Sequence, residues 1–190
     1  MEKSYGRCVV NEIQILPLGV VPAGMLGDLR AGLERIFGGR VEILPAESPP
    51  AQAFNASRQQ YSSTEILAAL ARRAPPEARL LAVIHSDLYI PVLTFVFGEA
   101  QLEGVCAVVS TWRLRQDFYG LPADAALLGA RLLKEAVHEL GHTFWLLHCD
   151  DYQCVMASSH AVEWVDLKGS TFCAGCRARL HAKRNLVPIR

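Results

Sequence analysis

The sequence predicts an α+β (mixed α/β) fold, a mixed sheet with helices packed on it, followed by a cysteine-rich C-terminal segment. Three observations predict it. Short apolar runs alternate with helical patterns through the first half of the chain. One long amphipathic helix spans Asp124 to Phe144. Four of the six cysteines, Cys149, Cys154, Cys173 and Cys176, crowd into the last quarter.

Taken in order, Glu12 to Leu16 is a β-branched stretch that reads as a strand. Ala23 to Phe37 repeats apolar residues at helical spacing, and Gly38-Gly39 stops it. Val41 to Leu44 reads as a second strand, and the proline-rich Pro45 to Asn55 as loop. Ser62-Ser63-Thr64 supplies a cap for a helix running to about Arg73, ended by Pro75-Pro76. Leu80 to His85 is a buried strand; Thr94 to Phe97 and Val105 to Thr111 read as two more, with Gly98 and Gly104 bounding the turn region between them. In the long helix, Leu128, Leu132, Leu133, Val137, Leu140, Gly141 and Phe144 share one broad face. The basic tail from Arg177 to Arg190 reads as a solvated helix.

Composition narrows the function classes. With 190 residues, 51% of them apolar, the chain suits one domain, 1-190, with a sizeable core. Its 19 basic and 19 acidic residues balance, leaving no electrostatic footprint for nucleic acid or an anionic membrane. No stretch reaches the roughly 18 apolar residues of a membrane span. The start, Met1 to Cys8, lacks an apolar signal region, so the expected location is cytoplasmic. In a reducing compartment, clustered cysteines favour metal over disulfides. Cys8 and Cys106 stand alone in apolar runs and read as small buried hydrophobes.

Two constellations carry chemistry. His138-Glu139-Leu140-Gly141-His142 places two imidazoles four apart on one helical face. So placed, they can bind one zinc at about 2.0–2.1 Å. Glu139, beside the first ligand, can take a proton from a water whose pKa the metal lowers to about 7. A third ligand is needed, and His148 lies too far along a helix to serve unless the chain turns sharply after His142. Asp150, Asp151 and Glu163 are the oxygen alternatives. The second constellation, Cys149-x4-Cys154 and Cys173-x2-Cys176 separated by 18 residues, has the spacing of a closed four-cysteine zinc site. His160 is an alternative ligand there. Adjacent side chains of an extended segment point to opposite sides, so His148 and Cys149 can serve different metals.

The run His138, Glu139, His142, His148, Cys149, Cys154, Met156, Cys173 and Cys176 resembles the archaemetzincins, a branch of the metzincin metallopeptidases. Ser86 to Tyr89, Phe97 to Ala100 and Val108 to Ser110 are also similar. The resemblance implies a twisted mixed sheet, an active-site helix and a small C-terminal cysteine-zinc subdomain. The cleft would separate an upper part, 1-144, from a lower part, 145-190. It assigns His138, His142 and His148 to a catalytic zinc, Glu139 as general base, and the four cysteines to a structural zinc, two Zn2+ per chain. Met156 would form the methionine turn beneath the catalytic metal. Trp145 replaces the glycine of the family pattern, which suits a sharp turn, and puts a large ring near the site. The expected partner is a peptide or small protein, bound by a monomer along an edge strand at Thr94 to Gly98, with Phe95, Phe97, Tyr89 and Glu99 as pocket candidates. The alternatives are a zinc-stabilised binding module without activity and a nucleic-acid-binding zinc protein.

Overall fold

The computed structural model describes residues 12–184. In chain order the strands are β1 (Glu12–Leu18), β2 (Arg40–Ile43), β3 (Phe54–Asn55), β4 (Gln60–Ser62), β5 (Ala78–Ile84), β6 (Leu88–Tyr89), β7 (Gly98–Ala100) and β8 (Cys106–Ser110). The helices are α1 (Ala23–Phe37), α2 (Ser63–Ala71), α3 (Ala125–Thr143), α4 (Val162–Leu167) and α5 (Ala174–Arg184). The main sheet runs β2-β1-β5-β8-β7; its first four strands are parallel, and β7 closes the edge antiparallel to β8. A small second sheet, β3-β4-β6, and the short helix α4 have no counterpart in the sequence pattern.

Strand alternation builds three layers. Ile13, Ile15, Leu81, Val83, Ala107 and Val109 face the core that α1 and α3 cover. Leu16, Leu80, Ala82, Ile84, Cys106 and Val108 face the opposite core, under α2. All seven residues of β5 are therefore buried, as a central parallel strand requires. The first core continues past α3 into Val155, Met156, Val165 and Phe172, so the C-terminal segment packs on the same nucleus.

Local chemistry sets the helix ends. Gly38 takes the left-handed conformation (φ 66°) and donates its N–H to Glu34 O, ending α1. Ser62 caps α2 by accepting from the Glu65 N–H, and Asp124 caps α3 by accepting from the Leu127 N–H. Cys106 is the buried hydrophobe its apolar run suggests, and burial pushes its thiol up to about 11. Cys8 lies outside the described residues. No helix among the described residues is long and apolar enough to cross a membrane.

One expectation is overturned. Thr94 to Phe97 forms no strand; the edge strand is Gly98–Ala100, so Gly98 sits in the ladder rather than bounding a turn. The carbonyls of Leu93 and Thr94 accept instead from the Arg58 side chain, at 3.1 and 2.9 Å. Gln60 adds a bond to Thr94 O, and the Arg113 guanidinium stacks 4.2 Å from the Phe95 ring. These partners are remote in sequence, so the apolar run reads as a strand, whereas its backbone makes only a single bridge, Val96 to Leu88, and a bond from Ser110 N–H to Phe97 O, and side chains hold the rest as a rim.

Candidate metal centres and cleft

The amphipathic pattern of α3 turns His138 and His142 toward one another, with their Nε2 atoms 3.1 Å apart. His138 Nδ1 lies 2.8 Å from Val155 O, and His142 Nδ1 2.7 Å from Leu146 O. A carbonyl only accepts, so each Nδ1 carries the hydrogen and each Nε2 presents a lone pair. Two facing lone pairs repel unless a cation lies between them, and a backbone carbonyl behind each imidazole is the usual support of a metal ligand. His148 completes the group: one ligand atom from each of the three rings lies within 4.8 Å of the others. Burial lowers all three histidines, His138 the most, where the Lys168 ammonium adds to the effect. Neutral imidazole is the form that binds metal.

His148 reaches the group because the chain reverses at Trp145, whose φ is 69°. The Trp145 N–H donates to His142 O and the Leu146 N–H to Gly141 O, closing the helix end. A side chain in that conformation costs about 1–2 kcal/mol, which glycine would avoid. Trp145 is 41% exposed and lines neither cavity described below, so the large ring stays out of the cleft.

Cys149, beside His148, belongs to the other group. One sulfur from each of Cys149, Cys154, Cys173 and Cys176 lies within 4.8 Å of the others, and Cys149 Sγ is 3.9 Å from Cys173 Sγ. The Cys173 N–H points at Cys154 Sγ and the Cys176 N–H at Cys173 Sγ. The second contact is the main reason the Cys173 thiol falls to about 7, while burial raises Cys154 and Cys176. None of these cysteines forms a disulfide. His160, Asp150, Asp151 and Glu163 enter neither group.

Two glycines admit close neighbours. A Cβ at Gly141 would stand 2.5 Å from Met156 Sδ, so the fully buried Met156 lies against α3 at the residue before His142. A Cβ at Gly98 would stand 2.7 Å from both Glu139 Cγ and Val108 O, so β7 runs directly past the carboxylate. Burial raises Glu139 well above the usual carboxylate range, and the like charge of Glu135 adds to it. Gly98→Ala is expected to cost about 1–3 kcal/mol by overpacking. Thermal unfolding measures it, and an unchanged midpoint would show that the contact is slack.

The cleft has two cavities that share Gly98, His138, Glu139 and His148. One, of about 320 Å³, lies between the rim at 93–98 and Ser158 to His160, with Glu135 also in its lining. The other, of about 340 Å³, is lined by Glu99, Ala100, Leu102 and Leu147. Phe95 lines the first cavity, while Phe97 lines it from the buried core. Glu99 accepts hydrogen bonds from Ser63 and Thr64, and Tyr89 lies under the Arg58 guanidinium outside both cavities. Sequence reasoning missed Glu135 and Lys168, an ion pair of 2.8 Å in which both side chains are buried. The signal for Glu135 was its place one turn before Glu139 on the same face; nothing marked Lys168. Lys168→Met alone is expected to cost about 3–5 kcal/mol by stranding the Glu135 carboxylate. Urea unfolding checks this, and a loss below about 1 kcal/mol would mean that water already solvates the pair.

The chain is similar to known proteins over most of its length. The model of peptidase family M54 matches residues 48–182. The archaemetzincin of Methanocaldococcus jannaschii is 42% identical over 181 residues, covering 95% of this chain and 99% of the relative. A crystal structure of the Archaeoglobus fulgidus archaemetzincin, complexed with malonate, superposes with a TM-score of 0.77 at 41% identity, over 88% of this chain and 99% of that one. A zinc-dependent peptidase from Methanocorpusculum labreanum gives a TM-score of 0.82 at 31% identity, over 88% of this chain and 99% of that one. Fold and relatives together define a zinc metallopeptidase. Within that class the chain belongs to peptidase family M54, the archaemetzincins.

Proposed function

We propose that His138, His142 and His148 hold a catalytic zinc, that Glu139 is the general base of peptide-bond hydrolysis, and that Cys149, Cys154, Cys173 and Cys176 hold a second, structural zinc. The observation that carries the reading is the pair of Nε2 lone pairs facing at 3.1 Å, each with its Nδ1 hydrogen committed to a carbonyl. Zinc bound there supplies a Lewis acid that acidifies a water and polarises the scissile carbonyl. Glu139 takes the proton of the attacking water and passes it to the leaving amine nitrogen. The free edge of β7 offers main-chain donors and acceptors to an extended peptide, which brings the scissile bond past Glu139. The cleft divides the single unit, 1-190, into an upper part ending in α3 (1-144) and a lower part (145-190) that the cysteine zinc locks into shape.

Diffraction on either side of the zinc absorption edge tests the metal assignment, and digestion of a peptide library tests the activity. Two zinc peaks, one in each group, with peptides cleaved, are expected. A single peak at the cysteines after zinc is added back, with every peptide intact, would transfer the reading to a zinc-stabilised binding module.

A further inference from the structure

We propose that the cavity bounded by Glu135 and Ser159 selects substrates bearing a neutral hydrogen-bonding side chain, an amide such as glutamine or asparagine, next to the scissile bond; this rests on the peptidase reading above. The cavity adjoins His138, Glu139 and His148, so a side chain entering it flanks the reacting bond. Its polar groups are unusual for their depth. Glu135 is 3% exposed yet lines the cavity, and Lys168, 2% exposed, holds its Oε1 at 2.8 Å. A carboxylate accepts at two oxygens, so Glu135 keeps acceptor capacity beyond its Lys168 pair. Ser159 also lines the cavity, and its Oγ is buried with no hydrogen-bond partner among the described residues.

This set of groups defines the guest. An apolar side chain would cover the carboxylate and the hydroxyl without pairing them, and unpaired buried polar groups oppose binding. A second cation would enter a site whose charge Lys168 already balances, at the cost of its own desolvation. A carboxylamide meets both groups, its NH2 donating to Glu135 and its C=O accepting from Ser159. The walls are held to receive it. Arg58 and Gln60 bind the rim carbonyls, and Arg113, paired with Asp87, fixes Phe95. On the other side, Lys134 binds the carbonyls of Val165 and Asp166, and Arg131 pairs with Asp166, anchoring the segment that follows Ser159 to α3.

The test selects a randomised octapeptide library on zinc-loaded Glu139→Gln protein, where binding is read without turnover, and digests the same library with the wild type. Peptides containing glutamine or asparagine are expected to be enriched about tenfold over those with leucine or phenylalanine, at one position beside the bond cleaved. Exchanging the ion pair for apolar volume, Glu135→Met with Lys168→Met, should abolish the enrichment, and the milder Ser159→Ala should reduce it several-fold. Enrichment of apolar residues, enrichment of none, or a preference surviving in both variants overturns the proposal, and cleavage by the wild type then leaves the peptidase reading standing. Amide enrichment with no cleavage supports the cavity and removes the peptidase reading.

Discussion

Glu139→Gln is expected to lower kcat by about 10²–10⁴-fold while the zinc content stays that of the wild type. Glutamine keeps the shape that fits under Gly98, where the Cγ of residue 139 already fills the space a Cβ would need. It keeps no basic oxygen able to accept the proton of the attacking water. The imidazoles are held by Val155 O and Leu146 O, neither of which the substitution touches, so metal content should not change. Peptide hydrolysis and zinc analysis of the same preparation separate the two effects. Activity within tenfold of the wild type would remove Glu139 from the proton transfer. Loss of zinc along with activity would make it a supporting group instead.

Cys154→Ser is expected to unfold the C-terminal segment and to release zinc from both groups. Structural zinc contributes on the order of 10–16 kcal/mol in small zinc-folded peptides, as much as the whole stability of an ordinary domain. Cys154 is 1% exposed, receives the Cys173 N–H, and packs with Val155 and Met156 in the core that runs under α3. Because His148 and Cys149 are consecutive, freeing the cysteine group frees the third histidine as well. Val155 O, the partner of His138, lies in the same segment. Limited proteolysis should therefore cut within 149–176 in the variant and spare the wild type, with zinc falling in step. A variant that resists proteolysis and still holds zinc at the histidines would show that packing alone fixes the segment.

Much of this site is legible in the amino-acid sequence. Residues four apart on a helix share a face whatever the rest of the molecule does, so His138 and His142 announce themselves. The cysteine pairs do the same through local spacing, and the structure gathers all four. The substitution at Trp145 puts the position of His148 in question. The backbone takes the left-handed turn there regardless, and the three rings converge. The cavity is hidden for the opposite reason: helical spacing sets Glu135 one turn before Glu139, but nothing along the chain marks the Lys168 that pairs with it. Glu135 meets Lys168, and Arg58 meets the rim carbonyls, only because α3, α4 and the two sheets are packed together.

By itself, the sequence determined the longer helices, the central strands and both candidate ligand sets, because hydrophobic period and ligand spacing are properties of neighbours along the chain. The place of the edge strand, the gap at Gly98 that admits Glu139 and the charged, buried lining at Glu135 arise only in the packed molecule. Those features depend on atoms brought together by packing of the two cores, and no periodicity records which distant residue will satisfy a given carbonyl or carboxylate.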